Sequence, residues 1–333
     1  TVRSLAELWM SRHVQPNCTP VTVKTYRHFL DKRILPDMGD IPLSKLTPVR
    51  CLEWLDTLRA SGLSDKTVRH YYTTLHSIMD KAVQWELLPR NPLDKVDRPK
   101  VERRRLSTLD EEGAVALIRA LAEEPNRSYR LGALLALLCG LRLGEVDALT
   151  LADVSFESST IDISRAEKYT PATGAYDGAP KTASGERVIV LPAGLMEELA
   201  AERDFQLAAP SLYPGAWIGD GHIVHAWNGA RLNHDTLSKW WRRFADRNGF
   251  PGIRFHDLRH THASMLIASN LDPVTVAHRL GHADSTTTLR IYAHTYKETD
   301  TRAADITQTL LNHAHPDSPN IHPTNPTDTQ PIE

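Results

Sequence analysis

Between residues 89 and 107 the chain carries Pro89, Pro92 and Pro99 together with Lys95, Arg98, Lys100, Arg103, Arg104 and Arg105, against three acids. Proline fixes φ, removes a backbone donor and crowds the preceding helical turn, so no continuous helix crosses this stretch. A chain of 333 residues, long enough for about two domains, is thereby divided. A front unit, 1–88, and a back unit, 108–312, are joined by a basic linker, 89–107. Charge divides at the same place. Residues 1–105 hold 19 Lys+Arg against 12 Asp+Glu, a net of +7, and residues 106–333 hold 20 against 29, a net of −9. The overall charge of −2 conceals this split. A basic front half fits a polyanionic partner, although a solvated helical surface carries charge of the same kind.

The front half has the periodicity of helices. Ser4 with Glu7 has capping-box spacing, and Thr19-Pro20 and Thr47-Pro48 each set a cap residue before a first-turn proline. Ser64 opens the longest pattern: Val68, Tyr71, Tyr72, Leu75, Ile78, Met79, Ala82 and Trp85 form one apolar stripe at helical spacing. Such a stripe reads as core rather than as a cofactor box. Gly62 suits the stop of the helix before it. The expected helices are 4–14, 20–35, 48–60 and 65–87. In the back half helices are expected near 110–123, 128–139, 144–150, 194–208, 234–248, 257–269, 273–280, 285–294 and 298–312. Short strands are expected at 160–163 and 187–191, separated by a stretch rich in Gly, Pro, Ser and Thr. Residues 313–333, with five prolines and little apolar content, read as a disordered tail. The expected fold class is therefore mainly α with a small antiparallel sheet.

A composition of 41% hydrophobic and 24% charged residues excludes a fibre and a wholly disordered chain. The longest apolar run, Leu131 to Leu141, is about half of a bilayer span, so no membrane association is expected. No secretory leader pattern opens the sequence. Cys18, Cys51 and Cys139 are isolated and odd in number, so neither a disulfide framework nor a zinc cluster is expected, and a reducing cytoplasm is the expected compartment. The sequence begins at Thr1 rather than Met, which leaves room for residues upstream.

Four segments carry the chemistry. In Cys139-Gly-Leu-Arg142-Leu-Gly-Glu145 an arginine stands between an apolar helix and a new helix start, well placed to hold an anion with its guanidinium fork. Lys181 lies in or beside a turn before a strand, from which a lysine can reach a cleft as a proton donor. In His256-Asp-Leu-Arg259-His260-Thr-His262, His256 and Arg259 share a helix face. His256 and His260 also have zinc-ligand spacing, but Asp257 stands where zinc hydrolases of the H-E-x-x-H type need glutamate. The fourth segment runs from Leu280-Gly-His282 to Tyr292-Ala-His294. Taken singly, each of these residues has an ordinary structural reading: a solvated lysine, a buried ring, a surface arginine. Together, two arginines, two histidines, a lysine and a tyrosine suit a phosphodiester. Arginines neutralise non-bridging oxygens, a tyrosine oxygen can attack phosphorus, a base takes a phenol proton of pKa about 10, and an acid protonates the departing sugar oxygen.

At these residues the sequence resembles the tyrosine recombinases, the lambda-integrase-type site-specific recombinases. The order Arg142, Lys181, His256, Arg259, His282, Tyr292 is similar to that family's catalytic pattern, and HDLRHTHAS and LGHADSTTTLRIYAH resemble its two C-terminal boxes. The likeness covers about residues 4–312; the front half shares only the layout of an α-helical core-binding domain, and the back unit that of a mixed α/β catalytic domain. The resemblance implies Tyr292 as the nucleophile that forms a 3′-phosphotyrosine bond, Arg142 and Arg259 as the phosphate clamp, and Lys181 as the general acid. It implies His256 as the base or hydrogen-bond partner of the phenol, His282 as a donor to a phosphate oxygen, and Glu145 as the carboxylate that orients the arginine or caps its helix. Tyr296 is the nearby rival of Tyr292; His260 and His262 read as structural. Lys95, Arg98, Lys100, Arg103, Arg104 and Arg105 would lie along the DNA backbone.

The implied partners are double-stranded attachment sites, four protomers exchanging strands through a Holliday junction, and accessory DNA-bending or excision factors. No metal, ATP or other cofactor is implied. Helix 298–312 would dock on a neighbouring protomer. The insert-like stretches 165–180 and 205–232 favour an integrase of a phage or integrative element over a chromosome-dimer resolvase of the Xer kind. Many such integrases carry an arm-binding domain upstream of the core. A type IB topoisomerase and a non-catalytic DNA-binding regulator on the same scaffold are the rival readings. The compact helical front domain argues against the first, and the complete set of six residues against the second.

Overall fold

The first helix begins a turn earlier than Ser4. Thr1 caps it, its Oγ1 accepting the Ser4 N–H at 3.3 Å. In the computed structural model, which describes residues 1–102, 107–170, 172–180, 183–284, 286 and 308, α1 (Val2–Trp9) passes through a π-helical turn (Met10–Val14) into α2 (Gln15–Asn17). Pro16 has no N–H to return to the fourth residue back, and its ring crowds that carbonyl. The ladder widens by one residue there, with the Gln15 N–H reaching the Met10 carbonyl. The device recurs: α3 (Pro20–Phe29) passes through a π turn (Leu30–Ile34) into α4 (Leu35–Met38), which holds Pro36. Helices expected to stop at 14 and 35 therefore run on to Asn17 and Met38.

Thr19, Thr47 and Ser64 cap as their sequence contexts predict, accepting the N–H of Thr22, Arg50 and Thr67. The last two open α5 (Pro48–Ala60) and α6 (Asp65–Gln84), between which Gly62 turns the chain at φ +80°. The stripe Val68, Tyr71, Tyr72, Leu75, Ile78, Met79, Ala82 is buried against Leu5, Trp9, Leu30, Ile34, Leu55 and Leu58 in one core.

That core takes in the start of the proline-bearing segment. A 3₁₀ turn (Pro92–Lys95) lays Leu93 and Val96 on α6. The Tyr72 hydroxyl is shared between the carbonyls of Leu93 (3.3 Å) and Val96 (3.1 Å), and the two ring nitrogens of His76 meet Asp80 at 2.9 Å and Asp94 at 3.2 Å. The chain leaves the helical core only after Val96. Lys95, Arg98 and Lys100 are exposed, and Arg103, Arg104 and Arg105 lie outside the described residues.

A second core begins with α7 (Glu111–Ala122) and α8 (Arg127–Cys139). From Leu131 to Leu137 every residue of α8 is buried, as its all-round apolar sequence requires. A short α9 (Leu143–Ala148) leads into β1 (Val154–Ser155), β2 (Thr160–Ile163), β3 (Ala166–Thr170), β4 (Gly174–Gly178) and β5 (Arg187–Val190). Strands β1, β2 and β5 form an antiparallel sheet with Ile163 opposite Arg187. Val154, Ile161, Ile163, Arg187 and Ile189 are its buried positions. The β3–β4 hairpin corrects the expectation of a strandless insert at 165–180. Its residues are mostly half-exposed on both faces, so no alternation marks it. Side chains hold it instead: Arg231 pairs with Glu167 at 2.6 Å and with Asp177, and the Tyr169 ring stacks on His234 with centroids 3.6 Å apart.

Helix α10 (Ala193–Leu212) outlasts its expected end at 208, and α11 (Thr236–Arg247), α12 (Phe255–Ala268) and α13 (Pro273–Leu280) complete the described fold. Helix α8 packs against α10, α11 and α12. Apart from residues 286 and 308, the helices expected at 285–294 and 298–312 lie outside the described residues, as do the tail 313–333, Lys181 and Tyr292. Among the described residues no helix is long and apolar enough to cross a membrane.

Removing the Tyr72 hydroxyl should free the start of the linker while leaving the helical stripe packed. Tyr72→Phe is expected to cost about 1 kcal/mol by urea unfolding and to speed amide exchange at Leu93 and Val96. Unchanged exchange at both amides would show that the hydroxyl does not hold this segment.

Candidate active site

Two helices end at glycines in the left-handed region, α8 at Gly140 (φ 68°) and α13 at Gly281 (φ 65°). Neither position tolerates a side chain. A Cβ at 140 would stand 2.6 Å from Leu280 Cδ2 and 2.8 Å from His262 Cδ2, and one at 281 would stand 2.9 Å from the Arg187 guanidinium. A helix C-terminus leaves carbonyls without intrahelical partners and carries partial negative charge. Arginines take them up. Arg259, buried on α12, donates Nη1 to the Gly140 carbonyl at 2.6 Å and Nη2 to the Leu280 carbonyl at 2.5 Å. Arg142, the residue that opens α9, donates Nη2 to the Gly281 carbonyl at 3.0 Å. Two arginines from distant parts of the chain thus rest on consecutive carbonyls.

Glu145 sits behind Arg142, 1% exposed. Its Oε1 accepts from Arg142 Nη1 at 2.6 Å, and its Oε2 accepts the Arg142 backbone N–H at 3.0 Å, closing the first turn of α9. The same carboxylate takes Arg187 Nη2 on Oε2 at 2.9 Å. Burial alone would raise the Glu145 pKa; hydrogen bonding and charge from Arg187, then from Arg142, outweigh it and hold the carboxyl below the usual range. Arg187 is a residue the sequence reading gave no role. Its only signal was parity: in Arg187-Val-Ile189-Val it shares the inward phase of Ile189, and a buried arginine demands a partner.

His282 follows α13 directly. Loss of solvent, then the charges of Arg259, Arg142, His260 and Arg187, push its pKa down to about 4. His256, in the first turn of α12, reaches solvent on one side, yet crowding by protein, then His260, Arg259 and Arg142, also lower it to about 4. Its ring meets that of His260 edge-on at 4.9 Å. His262 is buried and accepts from Arg279 Nε at 3.2 Å; burial, then the Arg279 charge, lower it to about 3. Asp257 closes α12, accepting the Arg254 N–H at 2.8 Å and its guanidinium at 2.7 Å. Among the described residues, His76, Asp80 and Asp94 on α6 and its following turn are the acid and imidazole group near enough to share an ion, and both ring nitrogens of His76 already face carboxylates.

The structure therefore brings Arg142, Glu145, His256, Arg259 and His282 into one neighbourhood and adds Arg187. Lys181, Tyr292 and the rival Tyr296 lie outside the described residues. Arg142 and Arg187 share the one carboxylate of Glu145, and Arg259 rests on the neighbouring carbonyls, which leaves a positive surplus suited to an oxyanion. Neutral imidazoles beside it can accept or donate a proton.

His256, His262 and His282 each bind a proton more readily unfolded, where the pKa is 6.5, than folded. Their contribution to stability is full above pH 6.5 and is lost as pH falls toward about 4 for His256 and His282 and about 3 for His262. The urea midpoint should therefore fall steadily below pH 6.5, and His262→Asn should flatten part of that slope. A midpoint constant down to pH 4.5 would contradict the neutral assignment.

Comparison with known proteins places this neighbourhood in a lineage. A family model described as the phage integrase family matches residues 107–299, and one described as the phage integrase N-terminal SAM-like domain matches residues 1–59. The chain is 26% identical over 294 residues to the ICEBs1 integrase of Bacillus subtilis (strain 168), covering 88% of this chain and 78% of that one. It is 24% identical over 313 residues to the transposase from transposon Tn916 of Enterococcus faecalis, covering 87% and 74%. The solved Tn1549 transposon integrase, in complex with transposon right-end DNA, superposes with a TM-score of 0.75 at 23% identity over 93% of this chain and 99% of that one, which shows a shared fold. The chain belongs to the phage integrase family of tyrosine recombinases, DNA breaking-and-rejoining enzymes of the mobile-element type.

Proposed function

We propose that this protein integrates or excises a mobile element by cutting double-stranded DNA through a covalent 3′-phosphotyrosine and resealing it to a new strand. The observation that carries the reading is the meeting of Arg142 and Arg259 on the consecutive carbonyls of Gly281 and Leu280, directly before His282. Their forks match the two non-bridging oxygens of one phosphodiester and answer the charge that builds in its transition state. In this reading Tyr292 Oη attacks phosphorus in line. The P–O5′ bond breaks as the P–Oη bond forms. The phenol proton passes to neutral His256 or to water hydrogen-bonded there, and Lys181 gives its proton to the leaving 5′-oxygen. His282 donates to a non-bridging oxygen, and Glu145 orients Arg142.

The protein–DNA bond keeps the phosphodiester energy, so a 5′-hydroxyl of the partner duplex can reverse the step without ATP or metal. Two duplexes require four protomers, exchanging strands in pairs through a Holliday junction. The helical unit 1–88 and the linker 89–107 would close on the duplex opposite the catalytic unit 108–312, with 313–333 as a tail. Lys95, Arg98, Lys100, Arg103, Arg104 and Arg105 would meet phosphates and make binding salt-dependent.

On a nicked duplex bearing the element's attachment sequence, and with EDTA present, the wild type should form a covalent adduct. Tyr292→Phe should form none yet bind the same DNA in a gel shift; persistent adduct in that variant refutes the nucleophile. Lys181→Ala should cleave slowly, and a sulfur at the 5′-bridging position should restore the rate because a thiolate leaves without a proton. Absence of rescue removes Lys181 as the acid.

A further inference from the structure

Arg187 is a fully enclosed charge beside the proposed clamp, its side chain 1% exposed like that of Glu145. It stands on β5, where the alternation of the strand turns it inward beside Ile189. Every direction of its fork is used. Nε donates to the Arg279 carbonyl at 2.7 Å, Nη1 to the Gly185 carbonyl at 2.7 Å and to Glu145 Oε1 at 3.4 Å, and Nη2 to Glu145 Oε2 at 2.9 Å. Three segments meet on this one side chain: the turn that follows Lys181, the end of α13 that leads to His282, and the carboxylate behind Arg142. Gly281 has no room for a Cβ because Arg187 and the Ser184 carbonyl fill that space.

Charge makes the arrangement more than a brace. Arg142, Glu145 and Arg187 together carry a net +1, and of the three only Arg142 reaches solvent, at 33% side-chain exposure. Without Arg187, the buried carboxylate would have Arg142 as its one cationic partner in this triad, and the pair would be neutral. The charge offered to a phosphate would fall even with Arg142 in place. We propose that Arg187 is a positioning residue of the recombination site: it neutralises Glu145 so that Arg142 keeps its charge for the scissile phosphate, and it locks the turn after Lys181 to the helix end before His282. This rests on the assignment of Arg142 to the phosphate clamp made above.

The test uses the whole chain on a nicked duplex with the attachment sequence. Four proteins are compared: wild type, Arg187→Met, Arg187→Lys, and the double variant Arg187→Met/Glu145→Gln. Single-turnover cleavage should slow about a hundredfold in Arg187→Met, the order found for losing one preorganised charge-stabilising group. Arg187→Lys, which keeps the charge and loses the fork, should fall between it and the wild type. The decisive protein is the double variant. Removing the carboxylate as well restores +1 to the pair, so it should cleave at least about tenfold faster than Arg187→Met, which corresponds to a single step of the affinity scale.

Removing the orphaned carboxylate also relieves a buried unpaired charge, so rescue of folding belongs to a merely structural arginine too; such an arginine would leave the salt dependence of DNA binding unchanged in every folded variant. A binding readout runs beside cleavage. The slope of log K against log salt should shrink by about one phosphate contact in Arg187→Met and return in the double variant. Circular dichroism and thermal melting show which proteins are folded; if Arg187→Met does not fold, a folded double variant that both cleaves and keeps the wild-type salt slope supports the proposal, and one that lacks either overturns it. Arg187→Met cleaving at the wild-type rate also overturns it. Absence of adduct from the wild type sinks the cleavage reading instead, and the salt slopes then decide the role of Arg187 by themselves.

Discussion

One buried carboxylate organises the cluster. Glu145 is sealed from solvent, and a charge so placed persists only when its oxygens are matched by cations and donors. Arg142 supplies its backbone N–H and one end of its guanidinium, and Arg187 supplies the other side. The remaining donors of Arg142 and Arg187 reach the carbonyls of Gly281, Arg279 and Gly185, and Arg259 takes those of Gly140 and Leu280 at the ends of α8 and α13. Helix termini, usually a debt left to water, become the sockets of the site. The left-handed glycines at 140 and 281 make those sockets possible, because the chain turns there within a Cβ's distance of Leu280, His262 and Arg187.

Much of this was legible in the sequence, and the limits have physical causes. The stripe from Val68 to Trp85 and the caps at Thr19, Thr47 and Ser64 follow from local rules. The continuation of helices through Pro16 and Pro36 does not, because a π turn is chosen by tertiary packing that repays a weaker ladder. The β3–β4 hairpin escaped because it has no wholly buried face, and its ties, Arg231 to Glu167 and Asp177, connect residues far apart in sequence. Within the site, Arg142, Glu145, His256, Arg259 and His282 come from three separate sequence segments, and the fold brings them into one neighbourhood. Arg187 was passed over: a strand arginine is read as exposed unless its parity with Ile189 is given weight. The backbone carbonyls that hold all three arginines have no sequence signal of any kind.

The negative back half and its positive site are compatible for a reason of range. Several acids there are engaged by nearby bases: Asp153 by Arg165, Glu167 by Arg231, Glu202 by His225, Asp257 by Arg254. At physiological salt, exposed charges farther than about 8 Å are strongly screened. What an approaching polyanion meets is therefore the local surplus around Arg142 and Arg259, with the exposed Lys95, Arg98 and Lys100 on the front side, and not the sum over the unit. Net charge of a domain is a poor guide wherever ion pairs are as dense as they are around β3 and β4.

The pinning of Val96 by Tyr72 has a counterpart at the far end, where the Leu109 N–H is held by Thr261 Oγ1 at 3.1 Å. Between these two anchors the covalent contour is at most about 45 Å. Covalent length alone therefore sets a ceiling on how far residues 96 and 109 can part while both anchors hold, whatever lies between the two cores. Each residue removed between the anchors would lower that ceiling by about 3.5 Å.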